Sequence, residues 1–365
     1  QVIYTTGSTG LPKPALLSHR NITAQNLCLA TGFDLFATPR MLVNLPPSHV
    51  GCQAEELMTT LFIGGTAVVL HVFDAEKSLK AIEQYKINSF GQIPAMFHLQ
   101  WQLPNYEDYD LSSVRVVLFG GQQVTTPFVE RLLTMAPQAA TGLGLTEMAG
   151  FVTYTGATTD VDDLVESVGW ATPITPLTIR RPMRDDGSAG EELPDGETGE
   201  ICFTGPQVFV DYVNNREAYQ KTVSTDGVCY TGDLGYKSQR GLIFCGRSKL
   251  VIKPKGYQVH PAQIEQHFAL LKSDVAICGA VGAPHETFIE AVILFLERTP
   301  NAAPTRQSLE EHARGIAAYM RPTHYVIMQP GEFPLNRVNK TDYVKLSELA
   351  RDEVDRLRAE GSWDR

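Results

Sequence analysis

Four short stretches of this chain carry side chains able to do chemistry on an anionic substrate. In YTTGSTGLPKPALLSH (4–19), Thr5, Thr6, Ser8 and Thr9 are interleaved with Gly7 and Gly10, and Lys13 follows. Backbone N–H groups and hydroxyls gathered in one glycine-rich turn form a concavity for phosphate oxygens, and a nearby ammonium adds a point charge. It is not a Walker loop, because Lys13 follows Pro12 rather than glycine and no Ser or Thr comes after it. The same composition also serves an ordinary solvated turn. In TGLGLTEMAG (141–150), Thr146 and Glu147 come after Gly142, Leu143 and Gly144. A carboxylate beside a hydroxyl can ligate a magnesium ion carried by a nucleotide, although Thr-Glu is also a common helix start.

The third stretch, YTGDLGY (230–236), sets Asp233 in what reads as a tight turn flanked by glycines. A carboxylate there suits the paired hydroxyls of a ribose, and a hairpin end explains the same residues. The fourth, GRSKLVIKPKGYQVHPAQIE (246–265), brings Arg247, Lys249, Lys253 and Lys255 onto what read as alternating short strands, ahead of a helix opening at Pro261. Lysines alternating on a surface hairpin also protect an edge from aggregation.

The elements that must position these residues emerge from apolar patterning. VRVVLFGG (114–121) reads as a buried strand, followed by a helix in which Thr126 caps and Pro127 occupies the first turn. GTAVVLHVF before DAEKSLKAIEQYK, and INSFGQI before PAMFHLQWQL, repeat the strand–helix alternation. That order predicts an α/β domain with a parallel sheet covered by helices. An acidic, glycine-rich passage (183–199) reads as an exposed loop, and the hairpin-like strands after it form a small β-subdomain. Charged helices and mixed strands come next. The boundary is set at 247–250, giving a large domain over 1–248 and a small α+β domain over 249–365.

Thirty-one Lys and Arg against 41 Asp and Glu leave a net charge of −10, which argues against non-specific nucleic-acid binding. The six cysteines form no CxxC pair and no Cys/His cluster, so reduced thiols and a cytoplasmic location are expected. The apolar patch LFIGGTAVVL (61–70) is too short to span a bilayer, so no membrane span is expected.

Taken in order, the stretches resemble the adenylate-forming superfamily, which includes acyl-CoA synthetases, 4-coumarate–CoA ligase, beetle luciferase and peptide-synthetase adenylation domains. YTTGSTGLPKP looks like that family's phosphate loop, GLGLTE its nucleotide and magnesium motif, and YTGDLGY its ribose motif. GRSKLVIKPKGYQVHPAQIE is similar to the hinge and hairpin motif of the luciferase and coumarate-ligase branch. PLNRVNKTDY (334–343) looks like the C-terminal motif that carries a catalytic lysine, here Lys340. Relatives carry a further segment before the phosphate loop, so the sequence is expected to be a fragment lacking it.

The resemblance implies an ATP-dependent ligase working in two half-reactions. Thr5, Thr6, Gly7, Ser8, Thr9, Gly10 and Lys13 would hold the phosphates. Gly142, Leu143, Gly144 and Thr146 would line the nucleotide, and Thr5 and Glu147 would hold Mg²⁺. Asp233 and Arg247 would hold the ribose. Lys340 would bridge the substrate carboxylate and the α-phosphate. The small domain would then turn about Lys249, bringing Lys253, Gly256 and Tyr257 to the thiol step, with His49 as a gate beside the acyl pocket. That pocket would draw on Gly120, Gly121 and Gln122.

Three departures stand out: Leu143 where relatives place an aromatic, and Pro14 and Asn339 where they place glycine. HVGCQAEEL has no aspartate of the amine-binding kind, although Glu55 and Glu56 come after His49, so a non-amino carboxylic acid is the expected substrate. Coenzyme A is the expected thiol. The alternatives are the phosphopantetheine of a carrier protein, or a non-catalytic nucleotide-binding fragment.

Overall fold

A computed structural model describes residues 1–5, 12–35, 38–336 and 340–364. The expected phosphate-loop positions Thr6, Gly7, Ser8, Thr9 and Gly10, and Asn339, lie outside the described residues. The chain divides into a larger unit, Gln1–Thr5 with Pro12–Phe244, and a smaller one that includes Cys245–Arg365.

In the larger unit, strands β1 (Val2–Tyr4) and β2 (Pro14–Leu16) pair antiparallel, and helix α1 (His19–Gly32) comes after them. Ser18 caps α1, accepting the Asn21 amide at 3.2 Å while Asn21 Oδ1 accepts the Ser18 amide at 2.7 Å. Strands β3 (Arg40–Val43), β4 (Thr66–Val69), β5 (Ser89–Gln92), β6 (Val116–Phe119) and β7 (Gln138–Thr141) make one parallel sheet in the order β4-β3-β5-β6-β7. A wide π-type helix (Gly51–Met58) leads directly into α2 (Thr59–Phe62).

Helices α3 (Ala75–Tyr85), α4 (Pro94–Trp101) and α5 (Thr126–Leu132) come between the later strands, as the apolar alternation predicts. Alternate strand residues serve opposite faces. Leu42, Phe90, Val117 and Phe119 pack with Leu79, Ile82, Phe97 and Phe128, while Met41, Val43, Val116 and Leu118 pack with Leu29 and Phe33 of α1. Both faces of the central strands are covered, which is why β6 reads as a continuous apolar run. One detail shifts by a residue: Thr125 holds the N-cap position of α5, Thr126 is already helical, and no side-chain cap bond forms. Proline in the first turn, which needs no N–H there, starts this helix instead.

A second, antiparallel sheet joins Leu177–Arg180, Gly199–Phe203, Cys229–Ser238 and Gly241–Arg247 in that order. The smaller unit is α+β. Strand Val275–His285 runs antiparallel to Ile289–Arg298, which is parallel to His324–Met328, with helices Pro261–Phe268, Arg306–His312 and Tyr343–Ala359 beside them.

Candidate active site

The β1–β2 hairpin draws the two ends of the expected phosphate loop together. The Thr5 amide donates to the Lys13 carbonyl at 2.9 Å, and the Lys13 amide donates to the Thr5 hydroxyl oxygen at 3.0 Å. Lys13 Nζ then sits over the ring of Tyr212, 4.6 Å from its centroid. Tyr212 belongs to strand Asp211–Tyr212, which pairs with β2 through Tyr212 and Ala15. Its hydroxyl donates to Glu147 Oε1 at 2.5 Å. Burial and the adjacent carboxylate push the Tyr212 hydroxyl's pKa well up, so it stays a neutral donor. Lys13 and Glu147 are therefore joined through one buried phenol, and Thr5 is tied to the Lys13 backbone.

Tyr212 was missed in the sequence. In VFVDYV it reads as one more apolar strand residue, and the signal lay in the three-dimensional pairing of its strand with β2.

Thr146 and Glu147 begin a single helical turn, Thr146–Met148, between β8 (Gly144–Leu145) and β9 (Gly150–Phe151). Thr146 is buried. The Glu147 carbonyl accepts the Phe209 amide at 2.9 Å, which holds the turn. The Leu143 amide donates to the Thr153 hydroxyl oxygen at 2.8 Å, and the Leu143 side chain packs against the apolar cluster around Met148 and Val152. Gly142 has a reason independent of any ligand: a Cβ there would lie 1.9 Å from the Thr153 carbonyl oxygen.

The expected acyl-pocket residues lie around Phe151. A Cβ on Gly120 would meet that ring at 3.0 Å, as would one on Gly142. Gly121 and Gln122 are exposed. His49 is half-buried in the turn before the π-type helix, its Nδ1 accepting the Gly51 amide at 3.0 Å, which sets the tautomer with hydrogen on Nε2. Glu55 and Glu56 separate on that helix. Glu56 is buried, accepts the Asn44 amide at 3.2 Å, and is pushed well above the ordinary carboxylate pKa by burial. It fastens the helix to the end of β3. Glu55 is half-buried and lies against Gly150, where a Cβ would be 2.5 Å from its Oε1.

Asp233 is not in a turn. It lies inside strand Cys229–Ser238 and is buried. Tyr230 faces Cys202 and Leu234 faces Glu200, so Thr231, Gly232 and Asp233 together oppose Ile201 in a bulge. The bulge is held by the Gly232 amide on Glu200 Oε1 (3.0 Å) and the Thr231 hydroxyl on the Ile201 carbonyl (2.8 Å). Glycines that signal a hairpin end also permit a bulge, and here they do the latter.

In the smaller unit, Arg247 ends strand Gly241–Arg247 and Lys249 lies in the helical turn Ser248–Leu250; both are exposed. The alternating strands expected here reduce to one bridge, Ile252 to Val259, enclosing the turn Pro254–Gly256. Lys253 is exposed, its amide donating to Glu290 Oε2 at 2.6 Å. Gly256 has φ +85 and open space around its Cβ position, so the turn, not crowding, favours glycine. Tyr257 stacks on Tyr319 with centroids 4.5 Å apart. Lys340 is half-buried, its amide donating to Asn336 Oδ1 at 3.1 Å.

Known proteins resemble this chain in sequence and in fold. Residues 1–213 match the family model described as AMP-binding enzyme. The chain is 31% identical over 352 residues to indoleacetate–CoA ligase of Aromatoleum aromaticum, covering 94% of this chain and 66% of that protein. It is 29% identical over 359 residues to peroxisomal OPC-8:0-CoA ligase 1 of Arabidopsis thaliana, covering 95% and 64%. The solved structure of the ATP-bound RpMatB-BxBclM chimera B1 aligns with a TM-score of 0.82 at 25% identity, covering 96% of this chain and 68% of that one. The chain belongs to the AMP-binding enzyme family, with the fold of the adenylate-forming enzymes. It spans less than two thirds of the length of these two curated relatives. Among the described residues, no helix is long and apolar enough to cross a membrane.

Proposed function

We propose that this chain carries out, or forms most of a protein that carries out, ATP-dependent activation of a non-amino carboxylic acid followed by thioester formation with coenzyme A. The observation that carries the reading is the linkage of Lys13 and Glu147 through Tyr212, beside the closed ends of the Thr5–Lys13 hairpin. A cation, a carboxylate and a hydroxyl held together suit the charged tail of a nucleoside triphosphate. Two curated relatives named as CoA ligases support coenzyme A as the thiol.

In the first step a carboxylate oxygen of the acid attacks the α-phosphorus. The bond from that phosphorus to the bridging oxygen breaks, and pyrophosphate leaves with the negative charge. Both reactants are anions. At ~4 Å and an effective dielectric of ~20 their repulsion is roughly 4 kcal/mol, which is the work assigned to the Lys340 ammonium. In the second step the thiol sulfur attacks the acyl carbon, the thiol proton leaves to solvent, and AMP departs. Lys249 serves as the hinge between the steps, Lys253, Gly256 and Tyr257 attend the thiol, and Asp233 and Arg247 hold the ribose.

Magnesium fits the donors present. Among the described residues there is no group of three or more His, Cys, Asp or Glu that could cage a metal. Glu147 with Thr5 offers one carboxylate and one hydroxyl, the small share expected when phosphate oxygens and water complete an octahedral ion. Mg²⁺ would neutralise charge on the leaving phosphates.

The test is carboxylate-dependent exchange of labelled pyrophosphate into ATP across aryl, fatty and amino acids, then product analysis with free CoA or a phosphopantetheinylated carrier. Exchange with aryl or fatty acids and acyl-CoA formation support the reading. Exchange with amino acids alone, transfer to the carrier alone, or no exchange overturns it.

A further inference from the structure

In the smaller unit, Lys340 stands on a loop closed by its own backbone. The Asn336 amide donates to the Lys340 carbonyl at 2.8 Å, Leu335 bridges Thr341, and the Asp342 amide donates to the Pro334 carbonyl at 3.0 Å. A helix begins three residues after the lysine.

Tyr343 opens that helix, Tyr343–Ala359, and its hydroxyl lies 2.8 and 2.9 Å from the two carboxyl oxygens of Glu265. Glu265 belongs to helix Pro261–Phe268, and its Oε1 also accepts the Ala280 amide of strand Val275–His285 at 2.9 Å. One carboxyl therefore ties two helices and a strand together within three positions of Lys340. A second contact holds the same corner: a Cβ on Gly279 would lie 2.6 Å from Leu346 Cδ1 and 3.3 Å from Thr341 Cγ2. Burying a carboxyl costs free energy that an apolar side chain would not, so what Glu265 adds over leucine is direction.

We infer that Glu265, acting through the Tyr343 hydroxyl, is a positioning residue for Lys340 in acyl-adenylate formation. The inference rests on the role proposed for Lys340 above. Glu265 touches no reacting atom; it fixes the start of the helix from which the lysine loop departs. Misplacement of a reacting group by about 1 Å costs up to about a hundredfold in rate, so loss of one hydroxyl bond has a measurable consequence.

The test compares Tyr343→Phe, Glu265→Leu and Glu265→Gln. Glutamine keeps an oxygen able to accept both the Tyr343 hydroxyl and the Ala280 amide; leucine keeps only bulk. Tyr343→Phe and Glu265→Leu should lower kcat for adenylation about tenfold, leave KM for ATP within about twofold, and spare thioester formation from supplied acyl-adenylate. Glu265→Gln should restore kcat. Independently of turnover, hydrogen exchange at the Lys340 and Asp342 amides should accelerate in the first two variants and not in the third, with strand Ile289–Arg298 unchanged. Unaltered exchange at Lys340 and Asp342 in Tyr343→Phe overturns the inference, as does acceleration spread through the strands in all three. Lys340→Ala separates the two ideas: retained adenylation there removes the role of Lys340 and this inference with it, whereas lost adenylation beside an unaltered Tyr343→Phe removes the inference alone.

Discussion

Lys13 holds its ammonium 4.6 Å above the ring of Tyr212, and the other end of that ring donates its hydroxyl proton to Glu147. Residues far apart in the chain are balanced across one aromatic plane. Tyr212→Phe keeps the ring beneath Lys13 and removes only the bond to Glu147. A hydrogen bond to a charged group contributes about 1.5–3 kcal/mol to stability, so the melting temperature should fall by a few degrees and KM for magnesium-ATP should rise about tenfold. Steady-state kinetics at varied ATP checks this; an unchanged KM removes Tyr212 from the site.

Lys340→Ala should reduce adenylation about a thousandfold, the equivalent of roughly 4 kcal/mol of anion repulsion left unscreened. Thioester formation from supplied acyl-adenylate should continue. Single-turnover assays of each half-reaction decide the matter, and equal loss in both contradicts the assignment.

Lys249→Pro stiffens the turn Ser248–Leu250 by fixing φ and removing an amide donor. Adenylation should persist while thioester formation falls at least about tenfold. If both half-reactions run at the parent rate, the hinge lies elsewhere.

Gly142→Ala drives a methyl into the Thr153 carbonyl, 1.9 Å away, and should cost about 3 kcal/mol through overpacking. Gly144→Ala, with its nearest neighbour at 3.3 Å, should cost less. Chemical denaturation of both variants checks the order, and equal midpoints would mean that the hairpin yields freely.

The buried Glu265 carboxyl makes stability depend on pH. Burial raises its pKa from 4.5 to about 7, against the milder opposing effect of the Ala280 amide and the Tyr343 hydroxyl; the Cys278 thiol also faces it. The folded chain keeps a proton that the unfolded chain has already released. Its contribution is therefore greatest below pH 4.5, declines as pH rises towards 7, and is level above, a change of about 3 kcal/mol. Denaturation of Glu265→Gln between pH 4.5 and 7.5 should lack that slope; the parent slope persisting in the variant would falsify the assignment.

Strand Val116–Phe119 was legible because both its faces are buried, so it announces itself as an unbroken apolar run, while the strand–helix alternation around it marked the rest of the parallel sheet. The motif residues were legible as chemistry but not as geometry. Glycines around Asp233 read as a turn because local sequence cannot tell a chain reversal from extra residues inserted into a ladder. Tyr212 and Glu265 escaped notice for a different reason. Each acts through a partner far away in the chain, Glu147 and Tyr343, and neither pairing leaves a periodic trace.

The bulge opposite Ile201 frees Asp233 from the two-residue rhythm that dictates which way every other side chain of its strand points. Deleting Gly232 and Asp233 would restore the rhythm and keep the sheet, yet no carboxylate would remain in that place. Substitutions elsewhere along the strand could remodel the β-subdomain's interior without re-aiming the acid. Framework and chemistry are thereby separately editable at this point of the chain.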